Sequence, residues 1–189
     1  MKVLLVGSGG REHALAWKLT QEFPRIEIVA APGNPGIAQL ARCVAVRATE
    51  VERLVALAEH ERPNFTLVGP EAPLAAGIVD RFREHALPIF GPTRAAARIE
   101  TSKAWAKALM LEAGVPTAMA SRHTDVTAAK RAARELGAPV VVKASGLAAG
   151  KGVIVCVTLE EADRAIDFML REAGFGEAGS EILVEEFME

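Results

Sequence analysis

The first ninety residues alternate between short apolar bursts and longer amphipathic stretches. "KVLLV" (2–6) predicts a buried strand and "REHALAWKLTQEF" (11–23) an amphipathic helix. "IEIVAA" (26–31) and "CVAV" (43–46) predict two more strands, and "TEVERLVALAEHE" (49–61) a helix whose Thr49 and Glu52 stand at capping-box spacing. "FTLVG" (65–69) predicts a strand, "PLAAGIVDRFREH" (73–85) one helix and "LPIFG" (87–91) a last strand. Short apolar strands alternating with helices predict a parallel, doubly wound α/β sheet. The unusual residues sit in the strand-to-helix loops "GSGG", "APGNPG", "GPEAP" and "FGPT". In open parallel sheets these carboxyl ends of the strands are where ligands bind.

The rhythm then changes. A helix is predicted over 101–113, stopped by Gly114 and Pro116. Beyond it come a short strand near "TAMAS" (117–121), a helix "VTAAKRAARELG" (126–137), a strand "PVVVK" (139–143), a glycine loop and a strand "GVIVCV" (152–157). A helix "LEEADRAIDFML" (159–170) with Thr158 and Glu161 as its capping box, a loop (172–180) and a final strand "EILVEEF" (181–187) complete the chain. This predicts a small α+β unit over 116–189, after a parallel-sheet domain over 1–115 whose last helix, 101–113, is a linker.

Composition narrows the class without changing that picture. Of 189 residues, 50% are hydrophobic and 24% charged, which suits a globular protein with a real core. A net charge of −2 carries no basic footprint for nucleic acid. No window approaches the ~18 uninterrupted apolar residues of a membrane span, and "MKVLLVGSGG" is too short in its apolar part for a signal peptide. Cys43 and Cys156 both sit in apolar runs and are expected to be buried, reduced thiols in strands, so a cytoplasmic location is the expectation.

The loop in "KASGLAAGKGV" (143–153) looks built to hold phosphate, but it is not a P-loop. Gly146 and Gly150 enclose three residues rather than four, Gly152 stands where a hydroxyl is needed, and a strand follows instead of a helix. The pattern predicts a β-hairpin tip. Its glycine amides can approach an anion closely, Lys151 adds a charge at the tip, and Lys143 sits at the root. The alternative readings are an ordinary hairpin turn and a snorkelling strand-end lysine. Glu185 and Glu186 end a buried strand, where they either face a nucleotide or are simply solvated.

In the first loop, Gly7, Gly9 and Gly10 allow a tight turn before a helix N-terminus suited to phosphate. A nicotinamide-binding turn would need glycine in place of Glu12 and a carboxylate ending the second strand, and neither is present. A histidine placed like His13, in a first helical turn, is more often solvated or capping than catalytic.

"PVVVKASGLAAGKGVIV" followed by "LVEEF" resembles the first half of an ATP-grasp fold. The resemblance implies that Lys103 and Lys143 reach the ATP phosphates and that Ser145, Gly146, Gly150, Lys151 and Gly152 belong to a loop covering them. It also implies that Val184, Glu185, Glu186 and Phe187 form the hinge meeting adenine. The ordered set "GSGGREHALAWKL", "APGNPG", "VGPEAPL", "FGPT", "SKAWAK" and "KASGLAAGKGVIV" closely resembles the glycinamide ribonucleotide synthetase (phosphoribosylamine–glycine ligase) family. The resemblance implies ligation of glycine to 5-phosphoribosylamine through glycyl phosphate, in purine biosynthesis. ATP and Mg²⁺ (or Mn²⁺) take part, and Gly9, Gly10, Arg11, Glu12 and Glu71 hold the phosphoribosylamine. Such chemistry needs cations and backbone amides more than acid–base groups.

Members of that family are longer, and the sequence here stops just past the expected hinge. It therefore resembles their N-terminal portion, with no metal ligands expected in it, and is expected to be inactive alone and monomeric. The competing reading is a non-catalytic nucleotide- or phosphate-binding module.

Overall fold

The computed structural model describes residues 1–148 and 151–188. The chain divides into two compact units, Met1–Ala97 and Arg98–Glu189.

In the first unit, strands β1 (Lys2–Gly7), β2 (Glu27–Pro32), β3 (Arg42–Cys43), β4 (Phe65–Val68) and β5 (Ile89–Phe90) form one parallel sheet in the order β3-β2-β1-β4-β5. The central strands are buried on both faces, which is why they read as continuous apolar runs. Leu4, Val6 and Val29 turn to a core closed by Leu54, Val55 and Ala58 of α2 (Val51–Glu61) and by Ile78, Val79 and Phe82. Leu5, Ile28 and Ala30 turn to a second core against Ala16 of α1 (Gly10–Glu22).

The structure corrects several expectations in this unit. "CVAV" is a strand only at Arg42–Cys43, because the chain turns where the Val46 N–H donates to the Val44 carbonyl (2.7 Å). Cys43 is exposed, since β3 is an edge strand; Cys156 is buried as expected. The Thr49/Glu52 capping box does not form. The helix starts after Glu50, whose carboxylate accepts from the Arg47 N–H (2.8 Å), while Glu52 turns outward to pair with Arg81. The single helix expected over 73–85 is two, α3 (Glu71–Ala75) and α4 (Ile78–Glu84), broken at Gly77 with φ +87°.

A further helix, α5 (Arg94–Thr101), precedes the expected one, which runs as α6 (Lys103–Glu112). Ser102 between them has an extended backbone and accepts from the Trp105 N–H (3.2 Å), capping α6.

The second unit holds an antiparallel sheet in the order β6-β9-β7-β8, built from β6 (Ala120–His123), β7 (Val140–Ala144), β8 (Val153–Cys156) and β9 (Ile182–Glu186). One face carries Val140, Val142, Ala144, Cys156, Ile182 and Val184 into a core with α7 (Val126–Leu136) and α8 (Leu159–Ile166). Asp125 and Thr158 cap these helices through the Ala128 and Glu161 N–H groups. Glu161 completes a variant of the expected box, accepting from the N–H of Val157 rather than that of the cap. The helix expected over 159–170 ends as a wider π-helical turn at Asp167–Arg171. The side-chain period of two sends Val141, Lys143, Leu183 and Glu185 to the opposite face.

Candidate functional site

Both units carry a cavity where sequence reasoning expects chemistry. In the first unit the sheet order reverses between β1 and β4, and a cavity of about 530 Å³ opens at their carboxyl ends. Gly9, Gly10, Arg11, Glu12 and Glu71 all line it, with Ser8 and the loop after β4. These five expected residues are therefore neighbours in space.

They are not equivalent. Glu12 is 3% exposed and lies between the backbones of Gly7 and Gly69, where a Cβ on either glycine would strike its side chain. Its Oε2 accepts from the Gly9 N–H at 2.6 Å, which closes the start of α1. Glu12 thus shapes the loop from beneath. Arg11 reaches across the mouth, donating from Nη1 to the Gly69 carbonyl (2.6 Å) and to Glu71 Oε1 (2.9 Å). Glu71's own backbone N–H, and then the Arg11 guanidinium, hold its carboxyl below the ordinary range. Asn34, which sequence reasoning did not single out, donates to the Ser8 carbonyl (2.9 Å) and so ties "APGNPG" to the glycine turn. The exposed His13 lies over Gly36 rather than in the cavity.

In the second unit, β7 and β8 pair antiparallel, so the glycine loop joins two strands of a hairpin. The Ala144 N–H donates to the Gly152 carbonyl (2.8 Å), and the Lys151 N–H to the Ala148 carbonyl (2.9 Å). Lys151 is exposed at the far end; Gly150 lies outside the described residues. Ser145 is buried and works as a bracket. Its N–H donates to Glu181, its carbonyl accepts from the Lys103 N–H, and its hydroxyl accepts from the Ala104 N–H. Gly146 passes so close to Ala178 that a Cβ would meet its Cα at 2.7 Å.

A cavity of about 300 Å³ at the hairpin root is lined by Glu100, Lys103, Lys107, Thr117, Lys143 and Glu185, among others. Lys103 occupies the first position of α6, where the helix dipole disfavours a cation. Its Nζ donates to the Gly146 carbonyl (3.1 Å). Burial lowers its pKa, Glu100 opposes that, and the charge on Lys143 pushes in the same direction as burial. Lys143 and Glu185 are diagonal neighbours on adjacent antiparallel strands, since Lys143 pairs with Leu183 and Val141 with Glu185. Lys143 Nζ lies 2.5 Å from Glu185 Oε2, and Lys107 Nζ lies 3.3 Å from Oε1.

The four residues expected to form a hinge separate. Val184 turns its side chain into the core, and its backbone is flanked by Ser121 on one side and Val142 on the other. Glu185 faces the cavity. Glu186 turns away, its Oε1 accepting from the Met119 N–H (2.7 Å). Phe187, just past the strand, is 41% exposed. Lys107 was missed, although its spacing was a signal. Lysines at i and i+4 share a helix face and repel, so the pair at 103 and 107 implies a carboxylate nearby.

Among the described residues, no group of three or more His, Cys, Asp or Glu side chains is placed to hold a metal ion. Among them, too, no helix is long and apolar enough to cross a membrane.

Comparison with known proteins bears on the whole chain. The family model described as phosphoribosylglycinamide synthetase, N domain, matches residues 1–100, and that of the ATP-grasp (A) domain of the same synthetase matches residues 101–189. The chain is 55% identical over 189 residues to the phosphoribosylamine–glycine ligase of Ralstonia nicotianae, covering 100% of this chain and 44% of that protein. It is 52% identical over 191 residues to the ligase of that name from Xanthomonas campestris, with the same coverages. Among solved structures, phosphoribosylamine–glycine ligase from Thermotoga maritima superposes with a TM-score of 0.82 at 28% identity, over 100% of this chain and 44% of that one. A biotin carboxylase domain from Hydrogenobacter thermophilus, crystallised with MgADP, ADP and bicarbonate, gives a TM-score of 0.77 at 26% identity, again over 100% and 44%. The chain thus spans less than half the length of these relatives. Its parallel-sheet unit, its glycine hairpin and the two family matches in their order agree: the chain belongs to the phosphoribosylglycinamide synthetase family.

Proposed function

We propose that this chain supplies the phosphate- and nucleotide-holding parts of a ligase joining glycine to 5-phosphoribosylamine, within purine biosynthesis in the cytoplasm. ATP phosphorylates the glycine carboxylate to glycyl phosphate and leaves as ADP. The amine of 5-phosphoribosylamine then attacks that carbonyl, inorganic phosphate departs, and glycinamide ribonucleotide results. The observation that carries this reading is the cluster of Lys103 and Lys143 in one cavity at the root of a glycine hairpin.

The residues divide the work by their chemistry. Lys143 and Lys103 present cations to the phosphates, where developing charge must be met by fixed groups. Ser145, Gly146 and Gly152 set the geometry of the loop root, Lys151 stands on the covering segment, and Gly150, outside the described residues, is assigned to the phosphates by the family resemblance alone. Glu185, Glu186 and Phe187 border the adenine together with Val184, whose backbone is already flanked on both sides. In the first unit, Gly9 and Gly10 offer a helix N-terminus to the ribose phosphate. Arg11 and Glu71 face its sugar and amine, while Glu12 supports the turn. On this reading the first domain precedes the ATP-grasp fold and 116–189 is the first ATP-grasp subdomain, while the stretch 101–113 expected as a linker packs within the second unit, Arg98–Glu189. The donors described here make no metal set. A magnesium or manganese ion, which would neutralise phosphate charge, would take its ligands from the portion of the relatives that this chain does not span. The unit of function is a monomer.

Protection from amine modification tests the reading. ATP with magnesium is expected to slow labelling of Lys143 and Lys151 but not of exposed Lys18, and Lys143→Met to weaken ATP binding about tenfold or more, ~1.4 kcal/mol. Equal labelling of Lys143 with and without ATP would remove the nucleotide assignment.

A further inference from the structure

Lys107 and Lys143 share one carboxylate, yet their surroundings differ. Lys107 Nζ is ringed by three acceptors: Thr117 Oγ1 at 2.7 Å, the Ala118 carbonyl at 3.0 Å and Glu185 Oε1 at 3.3 Å. Two of the ammonium's three protons go to Thr117 and Ala118 in hydrogen bonds, and the ion pair with Glu185 competes with any ligand for the third. Its side chain is 11% exposed. Lys143 is 28% exposed, and among the described residues Glu185 Oε2 is the acceptor at its Nζ. It keeps protons to offer. Glu185, at 4% side-chain exposure, is the buried member that both cations compensate.

We propose that Lys107 is a positioning residue. It grips one oxygen of Glu185, so that the other oxygen sets the resting place of Lys143. It also keeps that carboxylate compensated when a phosphate group draws Lys143 away. A carboxylate this deeply buried is costly to leave without a partner. With a single lysine, the cation could leave Glu185 only at that cost, and phosphate would have to offset it. With Lys107 anchored by the Thr117 hydroxyl and the Ala118 carbonyl, the second cation moves freely. Glu185 therefore acts as a cradle for Lys143. The phosphate half of this inference rests on the nucleotide reading above; the cradle itself does not.

Limited amine labelling with peptide mass spectrometry reads both halves. In the unmodified chain, Lys107 is expected to label about tenfold more slowly than exposed Lys18, because it must break out of three contacts first. In Lys107→Met, Lys143 becomes the sole cation on buried Glu185 and is expected to label about threefold more slowly, and Lys107→Arg, which keeps a cation, is expected to restore the unmodified rate. In a Glu185→Gln background, Lys107→Met is expected to add nothing to the Lys143 rate, whereas a purely structural cross-link would add its effect there too. Labelling of Lys107 as fast as Lys18, or a Lys143 rate unmoved or raised by Lys107→Met, overturns the proposal. If Lys107→Met does not fold, the unmodified rates and Lys107→Arg decide. With ATP and magnesium added, Lys143 should slow further while Lys107 should not. An equal slowing of both would make Lys107 a direct contact and overturn its positioning role. If ATP slows neither lysine, the nucleotide reading and the phosphate half fail together, while the labelling pattern without ATP still decides the cradle.

Discussion

A buried carboxylate shapes each cavity, and each has a different use. Glu12 sits under the first glycine turn with its Oε2 on the Gly9 N–H. Glu12→Ala would remove that acceptor and open a void against Gly7 and Gly69, so a loss of about 1–2 kcal/mol is expected from urea unfolding. An unchanged midpoint would show that the turn holds itself. Glu71 is partly exposed, and its contribution is best read through pH. Its folded pKa lies below the ordinary 4.5, first through its own backbone N–H and then through Arg11. The stabilisation is therefore full above that ordinary value and is lost as pH falls through the lower folded one. Thermal unfolding of wild type and Glu71→Gln should differ at neutral pH and converge on acidification. A gap that widens in acid would contradict the assignment. Lys143 stood out in the sequence because it ends an apolar strand beside a glycine loop, whereas Lys103 was singled out only through the family resemblance of "TSKAWAK". Lys107 was not singled out: its i, i+4 spacing to Lys103 was a weak signal, and its contacts with the Ala118 carbonyl and with a carboxylate 78 positions away are set by tertiary structure.

Strands, hairpin and helices followed from periodicity wherever the period ran unbroken. The hairpin nature of the glycine loop was readable from the β-branched run after it, and the pairing of β7 with β8 agrees. Breaks inside a periodic stretch were not readable. A glycine within a helix costs only about 1 kcal/mol, so "PLAAGIVDRFREH" gives no local sign that Gly77 ends one helix and begins another. The left-handed backbone there, φ +87°, is one that a Cβ opposes. Gly77→Ala should cost about 1–2 kcal/mol in equilibrium unfolding, and a neutral result would mean the two helices can merge. The capping box at Thr49 failed for a tertiary reason. Glu52 has a bidentate partner in Arg81 of α4, beyond the reach of any local rule.

At the scale of the molecule, each unit has its own hydrophobic core, and each site sits at strand ends or on the sheet face away from that core. Phe82, fully buried in the first unit, tests this partition. Phe82→Ala should cost about 3–5 kcal/mol. Hydrogen exchange should then show amides of β1 and β2 losing protection before those of β7 and β9, whereas simultaneous loss would mean one cooperative core. By itself the sequence determined the two classes of sheet, the loops that border the cavities and the family, because these depend on apolar period and on ordered local motifs. Tertiary structure alone decided that Glu12 supports its loop from beneath, that Glu186 turns from the cavity while Glu185 enters it, and that Lys107 shares Glu185 with Lys143. Burial and pairing between residues far apart in the chain are set by strand register and helix packing, and no local pattern encodes them.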